Sequence, residues 1–136
     1  MPEHKSIIEI QVRYGDMDTL GHANNAVYFT YFELGRIDLL RKNGLLRGID
    51  NINFVLARVE ADYLRPVTLF AKPVLETSIS RTGNTSVTFD HVLLEKDTSE
   101  VYCRGKTVAV FMRNGQKTSV PEEIRAIASD HAGAML

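Results

Sequence analysis

The chain contains one cysteine, no long apolar run, no internal repeat and no surplus of charge of either sign. Cys103 has no second cysteine to pair with, which excludes an intrachain disulfide framework. Every apolar stretch is broken by charge or glycine well before the ~18 residues that a membrane-spanning helix needs. The opening MPEHKSIIEIQVRYGD is too charged to hold the core of a signal peptide. The plain expectation is a cytoplasmic protein without integral membrane association. Sixteen basic and 17 acidic side chains, spread along the chain, leave a formal net charge of -1. That balance gives no electrostatic case for binding nucleic acid or an anionic membrane, so any anion binding must be local.

What is present is an ordinary globular composition. A length of 136 residues, 44% apolar and 24% charged, suffices for one domain with a substantial core, and a single domain over residues 1–136 is expected. Residues 7–14 alternate, with Ile8, Ile10, Val12 and Tyr14 on one face, as in a half-buried strand. Asp16 to Asn25 carries Gly21 and several Asp and Asn turn formers and reads as a loop. Ala26 to Asn43 is long enough for about five helical turns. On a helical wheel its apolar residues, Phe29, Phe32, Leu34, Ile37, Leu39 and Leu40, surround most of the circumference, so a sheet should wrap this helix. Asn25 suits the N-cap and Gly44 the C-terminal stop, while Gly35 in mid-helix implies the close passage of a neighbouring backbone. Strands are predicted at Asn53–Leu64, Val74–Thr82, Ser86–Glu95 and Val101–Met112, separated by Pro66, the Gly83-Asn84 turn and a polar hairpin at Lys96–Glu100. In the first of these, Val55, Ala57, Val59, Ala61 and Tyr63 should share a face. A strand, a helix and four hairpin-linked strands favour an antiparallel α+β domain. A short helix over about 121–129 should close the chain, followed by a loose tail at 132–136.

The polar cluster Asp16, Asp18, His22, Asn24 and Asn25 lies between the first strand and the start of the buried helix. The first turn of a helix presents unpaired N–H groups and the positive end of the dipole, which suits a developing oxyanion, and an adjacent carboxylate would complete a small hydrolytic site. Local hydrogen bonding alone also places Asp and Asn in loops and caps, so turn chemistry is the competing reading. D-x-D-x-x-G opens like a calcium loop, but Leu20 stands at the fifth position and Val27 where a bidentate Glu is required. A metal site from Asp16, Asp18 and His22 lacks any paired-histidine motif, and His4, His91 and His131 are scattered. There is no G-x-S-x-G, and Cys103 falls inside a predicted strand with no base partner.

The run VRYGDMDTLGHANNAVYFTYFELGRIDLL, with ADYLRPV at Ala61–Val67 and R-x-G-x-x-S at Arg81–Ser86, resembles the hot-dog-fold thioesterases of the 4-hydroxybenzoyl-CoA thioesterase and YbgC-like acyl-CoA thioesterase branch. The resemblance covers the chain down to about Met112. It implies a hot-dog fold, a long central helix wrapped by a curved antiparallel sheet of about five strands. It also implies hydrolysis of an acyl-CoA or acyl-carrier thioester without a cofactor or metal, and a homodimer or homotetramer whose sites lie between protomers. By position Asp18 is the catalytic carboxylate, and the backbone N–H of Asn25 polarises the thioester carbonyl. His22 is the family's frequent loop histidine, placed to orient Asp18 or water or simply to hold the loop. Asp16 and Asn24 read as turn or cap residues.

A thiolate of pKa near 8.5 needs little acid assistance to leave, so one carboxylate and an oxyanion site suffice, Asp18 acting as general base or as nucleophile. Glu33, on the helix, is the acidic alternative, costly if surrounded by apolar neighbours unless paired with Arg36 or Arg58. The phosphates of coenzyme A would call on cations, for which Arg81, Arg104 and Lys106 are candidates, with Ser86 closing the R-x-G-x-x-S run. Tyr28 and Tyr63, with Tyr14 and Phe29, could line the acyl group. A non-catalytic hot-dog protein that binds acyl groups or regulates a partner is the alternative of a different class.

Overall fold

The computed structural model describes residues 2–46 and 52–128. Strand β1 spans Lys5–Glu9, helix α1 Val27–Lys42, and strands β2 Ile52–Tyr63, β3 Pro73–Thr82, β4 Ser86–Glu95 and β5 Val101–Arg113. A two-residue strand β6, Gln116–Lys117, and a short helix α2, Glu122–Ala126, complete the order. The sheet runs β1-β3-β4-β5-β2 with antiparallel neighbours throughout, and β6 folds back on β5. This is the α+β wrapped-helix architecture of the hot-dog fold. Asn114 and Gly115, with φ of 50° and 80°, turn the β5–β6 hairpin, a turn that their Asn-Gly pairing encodes and that the strand reading passed over.

Helix α1 packs on β1, β3 and β4. One core cluster joins Leu39, Ile79, Phe89 and Phe111 to Ile124 of α2, and a second joins Tyr31, Phe32, Leu75 and Leu93. The approach is closest at two glycines. A Cβ on Gly35 would collide with the Thr77 hydroxyl and a Leu75 methyl, and one on Gly105 with the Phe32 ring. The tight neighbour at Gly35 is therefore a pair of β3 side chains, not a passing backbone. Gly44, at φ 70°, ends α1 as expected, with Leu45 N–H donating to Leu40 O at 2.8 Å and Gly44 N–H to Arg41 O at 3.0 Å.

Five further sequence expectations are corrected. The first strand pairs only from Lys5 to Glu9, because beyond the Ile10 N–H bond to Pro73 O the chain turns towards Asp16; Tyr14, expected inside, is 84% exposed. In β2 a bulge between Leu56 and Arg58 resets the alternation, so Phe54, Val59 and Ala61 pack inward while Val55 faces out. The sheet covers one side of α1 only, so Phe29, Leu34 and Ile37 remain 38–43% exposed. Asn25 is not the capping side chain: Asn24 Oδ1 accepts from Ala26 N–H at 2.9 Å and Asn24 O from Val27 N–H at 2.9 Å. Helix α2 is shorter than expected, and the tail at 132–136 lies outside the described residues.

Candidate active site

The segment before α1 is a small hairpin, more ordered than the loop its composition suggested. Asn24 N–H donates to Asp16 O at 2.8 Å, Met17 bridges Ala23, and Asp18 N–H donates to His22 O at 2.8 Å. Gly21, at φ 78°, closes the turn by donating to Asp18 O at 3.2 Å. The far side of the hairpin rests on the segment after Pro66 through an Ala23 N–H to Val67 O bond of 2.8 Å and a His22–Thr68 bridge.

Asp16 anchors the hairpin. Its carboxylate is 1% exposed and accepts from Arg13 N–H at 3.0 Å, from the Arg13 guanidinium at 2.8 and 3.1 Å, and from the Tyr31 hydroxyl at 2.8 Å. Burial alone would push its pKa up, but the Arg13 and Tyr31 hydrogen bonds and the Arg13 charge together bring it below the ordinary value. Asp16 therefore ties the hairpin to the second turn of α1. The sequence marked it as a turn residue, and the signal for its wider role was Arg13 three positions earlier.

Asp18 is exposed at the hairpin turn. One carboxylate oxygen, Oδ1, accepts from Leu20 N–H at 2.8 Å and His22 N–H at 3.2 Å. Those two amides, His22 first, hold the carboxyl below its usual range, with a further contribution from the His22 charge. Oδ2 has no partner among the described residues. The result is an ionised carboxylate with one oxygen fixed and the other available. His22 holds Asp18 through its backbone, and its imidazole makes no hydrogen bond among the described residues.

The helix start lies beside it. Asn24 O accepts from Val27 N–H, and because the peptide is planar and trans, the Asn25 N–H points the opposite way, out of the helix end. That N–H has no partner among the described residues. The Tyr63 hydroxyl donates to Asn25 O at 2.8 Å, pinning the next peptide of the same turn from β2. Tyr28 is buried, edge-on to Tyr63 with ring centroids 4.9 Å apart. Its pKa is raised by burial first and by neighbouring groups that include Asp18. The two tyrosines pack on each other at the helix start, and the Tyr63 hydroxyl holds the Asn25 peptide.

A match to the family model described as "Thioesterase-like superfamily" extends over residues 12–127. The chain belongs to this superfamily. Among solved structures, this superfamily member is similar to the PA2801 protein of Pseudomonas aeruginosa, with 34% identity, a TM-score of 0.78, and 90% and 95% of the two chains covered. It is also similar to a thioesterase from Thermus thermophilus whose structure holds coenzyme A and zinc, with 33% identity, a TM-score of 0.77, and 88% and 94% covered. An acyl-acyl carrier protein thioesterase of Arabidopsis thaliana chloroplasts, ATL3, is 27% identical over 125 residues; the match takes in 88% of this chain and 65% of that relative's length.

The remaining candidates of this thioesterase-like chain lie elsewhere. Arg104 and Lys106 alternate with the buried Cys103, Gly105 and Thr107 and so face away from α1; Lys106 pairs with Asp90 at 2.8 Å. Arg81, exposed, borders a depression of about 220 Å³ on that same outer face with Arg58 and Lys106. Ser86 opens β4 level with Val110, whereas Tyr63 is level with Cys103 and Leu93. Seven residues of strand separate the two levels, roughly 24 Å. Within one chain Arg81 and Ser86 are therefore at the opposite end of the sheet from Asp18. Glu33 is exposed instead of apolar-surrounded, and Arg58 pairs with Glu60 at 2.9 Å. Among the described residues no three His, Cys, Asp or Glu side chains gather as a metal site would require, and no helix is long and apolar enough to cross a membrane.

Proposed function

We propose that this protein hydrolyses acyl thioesters, with Asp18 as the reacting carboxylate and the Asn25 N–H as an oxyanion donor. The observation that carries the reading is the pairing of a half-tethered, ionised Asp18 with an outward-pointing, unpartnered N–H at the start of α1. Membership of the superfamily supports it. The thioester oxygen accepts from Asn25 N–H and from the positive end of the α1 dipole, which stabilise charge as the carbonyl becomes tetrahedral. Asp18 Oδ2 either takes a proton from the attacking water or attacks the carbon to form a mixed anhydride that water then cleaves. In both routes the C–S bond breaks and the sulfur leaves as thiolate. The carrier of the acyl group is coenzyme A or acyl carrier protein, as the relatives that act on or hold each of them suggest.

The working unit is a homodimer or a homotetramer of such dimers. Phe29, Leu34 and Ile37 on the open side of α1 and Val55 and Leu56 on the edge strand β2 form an apolar surface that a second copy would cover. Antiparallel pairing of β2 with its copy would also bring the partner's far sheet end, which carries Arg81 and Ser86, towards Asp18. The test is thiol release from a panel of short, long and aromatic acyl groups, each on coenzyme A and on acyl carrier protein. Turnover of at least one class is expected. Tight binding without cleavage anywhere in the panel would replace hydrolysis by an acyl-binding or regulatory role.

A further inference from the structure

A cavity of about 500 Å³ does not touch Asp18. It lies farther along the seam between α1 and β2, whose hairpin end carries the Tyr63–Asn25 hydrogen bond. Ile37, Leu40, Phe54 and Leu56 make most of its wall apolar, and its volume falls within the range of small-molecule pockets. One lining residue does not belong in an apolar wall. Arg36 is 6% exposed, and its guanidinium, with five N–H donors, makes a single hydrogen bond among the described residues, from Nη1 to Thr107 Oγ1 at 3.2 Å. That hydroxyl is already shared with His91 Nε2 at 3.0 Å. No carboxylate among the described residues lies within ion-pair distance of Arg36. Glu33, one turn back on the cavity rim, is felt only as a more distant charge.

A buried cation is costly unless it is paired and hydrogen-bonded. Polar side chains at core positions elsewhere in this sheet are matched: Thr77 and Thr107 take the two nitrogens of His91, and Ser6 bonds Asp38 at 2.6 Å. Arg36 is the exception, and it lines the cavity. From Asn25, eleven residues of helical rise give roughly 16 Å, and helical side chains lean back towards the N-terminus, so the Arg36 side chain covers part of that length. An acyl chain of medium length, with its carbonyl at Asn25, spans the rest along the seam.

We propose that Arg36 is a specificity residue that binds an oxygen anion at the distal end of the acyl group, so that the favoured substrates are thioesters of medium-chain dicarboxylic acids. This rests on the hydrolytic reading for its kinetic test but not for its binding test. A carboxylate there would accept two parallel N–H bonds from the guanidinium in a low-dielectric pocket, the geometry in which arginine discriminates most strongly. A plain acyl chain of the same length fills the apolar wall and leaves the cation unpaired.

Two measurements decide it, each on wild type, Arg36→Met and Arg36→Lys, with circular dichroism confirming that the variants fold. The first is calorimetric binding, which needs no turnover, of the monoamide of decanedioic acid against decanamide; the two share an amide carbonyl and differ in the distal carboxylate. The second is kcat/KM for the mono-coenzyme A thioester of decanedioic acid against that of decanoic acid. Wild type is expected to favour the carboxylate-bearing ligand by about 10-fold or more in both measurements. Arg36→Met should abolish the preference, and Arg36→Lys should keep a part of it. If wild type binds the two amides alike, Arg36 is neutralised from within the assembled protein and the proposal is overturned; an unchanged preference in Arg36→Met overturns it equally. Selective binding of the carboxylate-bearing amide with no hydrolysis of either thioester would leave Arg36 in its role and remove the hydrolytic reading instead.

Discussion

His91 is the most deeply buried titratable base of the core, and its pH linkage can be worked out from its contacts. Its ring stacks on Phe32 with centroids 4.3 Å apart, and both nitrogens are held by threonine hydroxyls at 3.0 and 3.2 Å. Burial, aided by the Arg36 charge, pushes its pKa down to about 3. In the unfolded chain the same imidazole titrates near about 6.5. The unfolded state therefore binds the extra proton, so the stability tied to a neutral His91 is complete above about pH 6.5 and is lost progressively as pH falls towards 3. At about 1.4 kcal/mol per pH unit, the loss between pH 7 and pH 5 is about 2 kcal/mol. Urea unfolding followed by far-ultraviolet circular dichroism, at fixed protein concentration, measures it. The control is His91→Gln, whose amide does not titrate and can keep a threonine partner. The difference in unfolding free energy between wild type and variant should shrink by about 2 kcal/mol from pH 7 to pH 5. Parallel curves for the two proteins would refute the assignment of a neutral, unprotonated His91 in the folded core.

Other perturbations test the hairpin and the helix seat. Tyr31→Phe removes a hydroxyl from the buried Asp16 carboxylate and should cost about 1–3 kcal/mol in thermal or urea unfolding; an unchanged midpoint would show that Arg13 alone satisfies Asp16. Gly35→Ala drives a methyl into Thr77 and should destabilise by about 1–3 kcal/mol, with Thr77→Ala in the same chain restoring most of the loss. Tyr63→Phe frees the Asn25 carbonyl and should lower kcat several-fold with little change in KM, as expected for a group that positions the oxyanion donor; an effect on KM alone would return Tyr63 to acyl binding. Because the Asp18 pKa is lowered, its ionised form persists below the ordinary carboxylate value of about 3.9, so kcat/KM should stay level from pH 7 down to about pH 4. An acidic limb well above about pH 4 would show that a group other than Asp18 governs turnover.

The strands and α1 were legible in the sequence because alternation and helical length are strong local signals, and most of their expected bounds fall within a residue or two of those observed. Local pattern could not reveal what depends on distant partners. The apolar alternation of residues 8–14 outlasts the ladder, since Ile10 and Val12 still pack on the core after the backbone has left β3. The bulge in β2 shifts Val55 outward without any glycine to announce it. The wheel of α1 was apolar on nearly all sides, yet the sheet covers only one of them and leaves Phe29, Leu34 and Ile37 exposed.

The same division holds at the site. The polar cluster and the helix start were legible in the sequence, and the resemblance, not the spacing alone, singled out Asp18 within that cluster. Asn24, read as a turn or cap residue, caps the helix start locally, whereas the Tyr63 contact required a partner 38 positions away. Arg36 entered the sequence reading only as a partner for Glu33, and its burial beside an apolar cavity makes it a candidate for recognition.

The central claim is that Asp18 reacts. Asn at this position would still accept from Leu20 N–H and His22 N–H through its amide oxygen, so Asp18→Asn should keep the hairpin and remove only the negative charge and the basic oxygen. With any thioester that the wild type cleaves, kcat should fall by about 100-fold or more, at an unchanged unfolding midpoint. A variant that releases thiol within a few-fold of the wild-type rate would contradict it.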